Sequence, residues 1–333
     1  MAKSIVGLDV GHGVLRGAEV TIGGRGKPRL LRFHQVTFPV EAAREGEILE
    51  KDVLVRAIKQ LWSGGKFSTK DVVIGIGNQR VLTRDLAVPK VPLERIRELL
   101  PFQVQDHLPI PVAEAVLDFY PVSEGVNETG AVINGLLVAA AKSAVLDNVH
   151  AVQAAGLNLI DVDLIPFALA RALLQGDSTR GTVALVSVGA VTTSVVVATN
   201  GIPKFVRIIP SGSQDITNAL VATNGITAAA ADQIKGSQGL VRQAYDAGSN
   251  SEGDTVFRAA EELLSTIRAS LAFYATNRPN DPIESLVVSG GGSRLRGFAA
   301  ALEEVSRVRV DLGDPTVRLT VGRGVDSVVL PNI

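Results

Sequence analysis

One order of strand and helix signals occurs twice in this chain, and that repetition limits the available folds more than any single motif does. The first copy opens with three strand-like runs, Ser4–Asp9, Val14–Ile22 and Arg29–Phe38, separated by the turns Gly11-His12-Gly13 and Gly23-Gly24-Arg25-Gly26. Lys51–Trp62 follows, with Val53, Leu54, Ile58, Leu61 and Trp62 at helical spacing, and then Asp71–Ile76, a short apolar run that predicts a buried strand. The second copy has the runs Thr182–Val188, Thr193–Thr199 and Ile202–Ile209, with turns at Gly189 and Asn200-Gly201. Helical patterns at Gln214–Thr223, Thr227–Lys235 and Glu252–Thr276 come next, and Ser285–Ser289 closes the copy as a strand.

Two copies of three strands, helix and strand predict an internally duplicated α/β protein of two lobes. A length of 333 residues agrees, since it exceeds what one compact core usually holds. Between the copies, Arg84 to about Ile160 reads as an insertion: strand Thr83–Val88, helix Leu93 to about His107, strands Ala115–Pro121 and Val132–Ala140, and helix Ala144–Ala155. The expected division is a first lobe core over 1–82, an inserted β-α-β-β-α subdomain over 83–160 and a return to the first lobe over 161–181. A second lobe core over 182–213, a helical outer subdomain over 214–282, and second lobe core with the C-terminal return over 283–333 complete it.

Charge and cysteine content remove several function classes. A formal net charge of -1 gives no general attraction to nucleic acid or anionic lipid. With no cysteine, disulfide frameworks, thiol catalysis and cysteine zinc sites are excluded. The longest apolar stretch, Val183–Thr199, is broken by Ser187, Gly189, Thr192, Thr193 and Ser194, so it predicts paired strands and not a membrane helix. Asp9 lies inside the first apolar run, which is therefore no signal-peptide core. Direct membrane insertion is not expected, and any membrane association would come through a partner.

Three glycine-bearing turns carry the candidate chemistry. Asp9 ends a strand ahead of Gly11-His12-Gly13, where a carboxylate can hold Mg²⁺ through water and open backbone N–H groups can meet phosphate. Gly189, Thr192 and Thr193 hold the corresponding place in the second copy; glycine admits a close backbone approach and the hydroxyls add donors. A strand feeds Gly290-Gly291-Gly292-Ser293, where three glycines leave no side chain between backbone and ligand. No P-loop, H-E-x-x-H zinc motif or G-x-S-x-G elbow is present.

These residues resemble the superfamily of actin, sugar kinases and the heat-shock chaperone ATPase. Gly7-Leu8-Asp9-Val10-Gly11 looks like its first phosphate motif, the turn at Gly189 like its second, and Gly290-Gly291-Gly292 like its adenosine motif. Asp232-Gln233-Ile234-Lys235 is similar to its helix with acidic and lysine side chains toward ribose and base. Within the insertion, Leu86-Ala87-Val88-Pro89-Lys90-Val91-Pro92 and Phe102-Gln103-Val104-Gln105-Asp106-His107-Leu108-Pro109-Ile110-Pro111 resemble the PilM family of type IV pilus proteins. Asp163-Leu164-Ile165-Pro166-Phe167-Ala168-Leu169-Ala170-Arg171 continues the likeness. The resemblance implies a duplicated actin-like (ribonuclease H-like) two-lobe α/β fold with an FtsA- or PilM-type insertion. It implies ATP or ADP with Mg²⁺ in the interlobe cleft, with Asp9 on the metal side.

It also implies a partner, the N-terminal peptide of a PilN-like membrane protein. That peptide would be received by a groove involving Thr83–Val88 and Leu93–His107, in a scaffold recruited from the cytoplasm to the inner membrane. Other pilus platform and motor proteins, and self-association, are further expected contacts; nucleic acid is not. Departures from the family pattern bear on turnover. Arg16 replaces the usual lysine after the first turn, Ser187 an acidic residue and Ile165 a glutamate, and Gly212 is followed by Ser213 where a second glycine is usual. γ-Phosphate hydrolysis needs metal charge and a group that orients water. Ser187 and Ile165 supply neither, so nucleotide binding with negligible hydrolysis is expected. An active ATPase and an FtsA-like filament former are the alternatives.

Overall fold

The computed structural model describes residues 3–22, 27–44, 47–128, 130–174, 180–240, 251–323 and 325. The turn Gly23–Gly26 lies outside these residues. The chain divides into two compact units, Met1–Ala168 with Pro315–Ile333, and Leu169–Asp314.

Unit 1 starts with the meander β1 (Lys3–Val10), β2 (Val14–Ile22) and β3 (Arg29–Thr37), followed by the short pair β4 (Ala43–Arg44) and β5 (Glu47–Ile48). Helix α1 (Lys51–Gly65) buries Leu54, Ala57, Ile58 and Leu61 on one stripe and ends at Lys66, whose backbone is left-handed with φ 50°. Strand β6 (Asp71–Ile76) then pairs in parallel with β1.

The insertion holds β7 (Val81–Pro89), α2 (Leu93–Gln103), β8 (Ala115–Asn127), β9 (Gly130–Ala141) and α3 (Lys142–Ala154). Its antiparallel sheet has the order β7-β9-β8, and Val88, Ile96, Leu100, Val104, Phe119 and Leu137 form a core between sheet and α2. Helix α2 stops at Gln103, short of the expected His107, which sits in a separate 3₁₀ turn. Val104 still bonds Leu100 O through its N–H, but its own backbone leaves helical geometry with φ -109° and ψ 5°, and the helix ends there. Strand β8 runs past the expected end at Pro121 to Asn127. It lies at a sheet edge, and the register shifts between Pro121 and Ser123, where a missing N–H is tolerated. Strand β10 (Asn158–Leu164) and helix α4 (Ile165–Leu173) follow.

Unit 2 repeats the plan. Strands β11 (Thr182–Val188), β12 (Thr193–Thr199) and β13 (Ile202–Ile209) form its meander. Helices α5 (Ser213–Asn224), α6 (Ala228–Gln238) and α7 (Ser251–Asn277) lead to β14 (Ser285–Ser289), α8 (Phe298–Ser306) and β15 (Val310–Leu312). Strand β16 (Thr320–Val321) then joins β3 in unit 1.

The two main sheets share one topology. Unit 1 has the order β10-β6-β1-β2-β3-β16 and unit 2 the order β13-β12-β11-β14-β15. In each, the first strand pairs antiparallel with the second and in parallel with the strand after the helices. The apolar stretch Val183–Thr199 is the hairpin β11–β12, as its interruptions predict. One face of the unit 2 sheet, with Ala184, Val186, Val188, Val195, Val197, Leu286 and Val288, is buried against α5, α6, α7 and α8 in one apolar core. That alternation points Ser187, Ser194 and Ser289 to the other face. Among the described residues no helix is long and apolar enough to cross a membrane.

Candidate functional site

The repeated hairpin positions the first group of expected site residues. In unit 1, Gly11 N–H donates to Val14 O at 2.9 Å; in unit 2, Gly189 N–H donates to Thr192 O at the same 2.9 Å. The two turns are therefore equivalent, and so are the positions flanking them. Asp9 pairs with Arg16 across β1 and β2, and Ser187 pairs with Ser194 across β11 and β12. The first copy carries an ion pair where the second carries two hydroxyls. Arg16 Nη1 lies 3.1 Å from Asp9 Oδ2, with both side chains partly open to solvent. A two-residue hairpin loop fixes this register from the sequence, so both pairings had a readable signal.

The rest of the unit 1 turn is shaped by close packing. A Cβ on Gly11 would stand 3.1 Å from Arg16 Nη1, so the guanidinium lies over the glycine. Gly13 has φ +68°, and a Cβ there would meet Val40 Cγ1 at 2.6 Å; its carbonyl accepts from Phe38 N–H at 3.0 Å. His12 Nδ1 and Arg16 Nε are buried without a hydrogen-bond partner. Unpaired buried polar atoms are uncommon and mark positions that need a separate explanation.

In unit 2 the turn is more self-contained than expected. Gly189 N–H is engaged by Thr192 O, and the carbonyls of Gly189 and Ala190 accept from Ser213 N–H at 3.0 Å and Gln214 N–H at 2.7 Å. Two of the open N–H groups at the start of α5 are thereby satisfied within the unit. Gly212 is required by this contact, since a Cβ would lie 2.7 Å from Gly189 O and overlap the Ala190 carbonyl. Thr193, expected to face phosphate, is fully buried and donates its hydroxyl to Ser211 O at 2.8 Å. It ties the hairpin to the loop before α5 and presents nothing to a ligand. Thr192 remains half-buried at the turn.

The triple glycine also needs correction. Gly290 has φ +85°, and a Cβ would lie 2.8 Å from the Val188 carbonyl carbon. On Gly292, a Cβ would overlap the Val188 side chain and stand 3.2 Å from Ser213 Cβ. Both glycines serve packing against β11, and Gly291 alone faces open space. Ser293 is buried, its hydroxyl donating to Gly290 O at 2.8 Å to close the short turn.

Lys235 links this region to α6. Its ammonium reaches Thr217 Oγ1 at 2.7 Å, Asp232 Oδ1 at 2.8 Å and Ser213 O at 3.3 Å. The Thr217 hydroxyl also donates to Asp232 Oδ1 at 2.7 Å. Burial pushes the Asp232 carboxyl up, but the bonds from Lys235 and Thr217 outweigh it and hold the group below the usual carboxylate range. Thr217, Ser194 and Ser289 were not expected from sequence. Ser289 stands beside Ser187 across β11 and β14, and its hydroxyl is buried without a partner. Nothing local in the sequence signals Thr217 or Ser289, because Thr217 meets Asp232 and Lys235 of the next helix and Ser289 meets Ser187 of β11.

Ile165 is half-buried and packs on the backbone at the end of β6. Cβ atoms on Gly75 and Gly77 would meet Ile165 at 2.6 and 2.8 Å, so the side chain lies against the end of β6. A nucleotide fits unit 2 in part: Gly291 offers an uncovered backbone, and Lys235 brings a cation to the first residue of α5. A Mg²⁺ site does not fit. Mg²⁺ demands oxygen ligands in octahedral geometry. In a nucleotide site it is usually held by one or two carboxylates with water and phosphate oxygens, and the carboxylate expected here, Asp9, is already bonded to the Arg16 guanidinium.

Two sheets of one order, each with a glycine turn after its first strand, define a duplicated actin-like α/β protein. MreB5 of Spiroplasma citri bound to AMPPNP shares this fold, with a TM-score of 0.53 and 12% identity over 94% of this chain and 92% of that one. The chain belongs to the PilM family: residues 7–332 match the family of type IV pilus assembly protein PilM. A PilM–PilN type IV pilus biogenesis complex is similar over 99% of this chain and 94% of that one, with a TM-score of 0.83 and 27% identity. The cell division protein FtsA of Bacillus subtilis (strain 168) is 21% identical over 322 residues, 83% of this chain and 71% of that protein.

Proposed function

We propose that this chain is a cytoplasmic scaffold of type IV pilus assembly that captures the N-terminal segment of a PilN-like membrane protein on its inserted subdomain. The observation that carries this reading is the likeness, along nearly the whole chain, to a PilM–PilN complex. Two features of the insertion suit the task. Strand β7 lies at one edge of the three-stranded sheet, where an extended peptide can add as a further strand. Helix α2 carries Phe102, 80% exposed, while Ile96 and Leu100 on the same helix are buried in the core. An aromatic ring left in solvent beside a packed face is the kind of anchor that peptide grooves use.

The second part of the reading is that nucleotide is held without hydrolysis. It rests on Ser187 and Ile165: a hydroxyl that brings no negative charge to a metal, and an alkyl side chain that cannot orient water. Titration of the full chain with a synthetic N-terminal peptide of a PilN-like protein from the same genome tests the first part. Saturable binding that weakens at least about tenfold on Phe102→Ser is the expected result. No binding in both nucleotide-free and ATP-saturated protein overturns it. For the second part, steady-state phosphate release should not exceed that of an Asp9→Ala control.

A further inference from the structure

We propose that the unit 1 turn binds phosphate through Arg16 in place of a divalent cation, so that nucleotide binding by this protein does not require Mg²⁺. This deepens the nucleotide reading above and rests on it.

The geometry begins with the carboxylate that would serve a metal. Asp9 is paired across the hairpin with Arg16, whose Nη1 lies 3.1 Å from Asp9 Oδ2. A Mg²⁺ ion would have to compete with a fixed cation for that oxygen. The pair is locally neutral, so it lacks the net negative charge that draws a hard cation.

The same arrangement favours an anion. A guanidinium has five N–H donors, and Asp9 is bonded to Nη1 alone among them. Arg16 Nε and His12 Nδ1 are buried without a partner, and the part of the guanidinium a ligand can reach lies in the 36% of the Arg16 side chain that is exposed. The guanidinium lies directly over Gly11, the residue whose lack of a side chain leaves room for it. A phosphate oxygen arriving at the turn would meet a planar, permanently charged group that can bond it and Asp9 together. Lysine at this position would offer a point charge on a flexible stem, with less directional hold.

The two roles of Asp9 give opposite signs for one substitution. If Asp9 holds a metal, Asp9→Asn weakens binding of Mg-ATP. If Asp9 competes with phosphate for Arg16, Asp9→Asn leaves binding equal or tighter. The experiment is equilibrium binding of a fluorescent ATP analogue to the full chain, in excess EDTA and in excess Mg²⁺. Wild type, Asp9→Asn, Arg16→Lys and Arg16→Ala are compared, and circular dichroism checks that each variant is folded. The expected results are wild-type affinities within about threefold of each other in the two buffers, and a loss of about tenfold or more for Arg16→Ala. Asp9→Asn should bind at least as well as wild type. Binding that needs Mg²⁺ and falls on Asp9→Asn overturns the proposal while leaving the nucleotide reading intact. Absence of binding to wild type in both buffers overturns the nucleotide reading and this proposal with it.

Discussion

Three adjacent glycines should respond to the same substitution in three different ways. Gly290 combines φ +85° with ψ 166°, a region that side-chain-bearing residues almost never occupy. Alanine there costs about 1–3 kcal/mol in backbone strain. A further cost of about 1–3 kcal/mol comes from forcing Cβ onto the Val188 carbonyl, which is backbone of β11 at a residue paired with Thr193 and not the end of a flexible side chain. Gly292 has no left-handed strain, but its Cβ would press on the Val188 side chain and Ser213, so alanine there costs about 1–3 kcal/mol. Gly291 has nothing within 4 Å of the Cβ position, so Gly291→Ala should lie within about 0.5 kcal/mol of wild type. The same alanine would place a methyl group on the one stretch of uncovered backbone in the turn, so it should weaken nucleotide binding without loosening the fold. Urea unfolding followed by circular dichroism gives the stability order, and the fluorescent-nucleotide titration gives the binding order. Gly290→Ala as stable as wild type, or Gly291→Ala as the least stable of the three, would show that Gly290 and Gly292 do not pack against β11.

The fully buried carboxylate of Glu19 accepts from Arg32 Nη1 at 2.8 Å, from Ser68 N–H at 3.0 Å and from the Ser68 hydroxyl. Glu19→Ala should cost about 1–3 kcal/mol, because it leaves the Ser68 donors without their acceptor while the part-exposed Arg32 is taken up by water; a change under about 0.5 kcal/mol in thermal unfolding would refute this. Burial alone would raise its pKa, but the Ser68 and Arg32 donors hold it below the ordinary 4.5. Its contribution to stability is therefore complete above about pH 4.5 and lost as pH falls through the lower folded value, and Glu19→Gln should remove that part of the acid slope. Thr217→Val breaks the bonds of Thr217 to Lys235 and Asp232 in a buried position and should cost about 1–3 kcal/mol by urea midpoint, whereas a neutral result would show that Lys235 finds other acceptors. Leu100→Ala, in the core of the insertion, should cost about 2–5 kcal/mol and raise amide exchange in β7–β9 without touching unit 2; equal loosening of both units would refute an independent core there.

Much of the architecture was readable because its signals are local. Strands β2, β6, β11, β12, β13 and β14 begin and end where the apolar runs and their flanking turns place them. A glycine or polar break sits next to each run, and the chain has no alternative local partner. Strand β10 was less visible: Asp161 and Asp163 interrupt its apolar character, and it is held by parallel pairing with β6, more than eighty residues earlier in the chain. Strands β15 and β16 are too short for any periodicity. Of the candidate site, the hairpin arithmetic could give Asp9 beside Arg16 and Ser187 beside Ser194, since a tight turn fixes cross-strand register. What no local pattern carries is the use to which each residue is put. Gly290 and Gly292 are glycines because of Val188, a residue of a different strand, and Thr193 is absorbed by Ser211 from the far end of the meander. A side chain's role depends on which groups remain unpaired around it after the sheets close. Those groups come from other elements, up to a hundred residues away in the chain, so the sequence names the turns and the packing of the elements decides which of their atoms are left to meet a ligand.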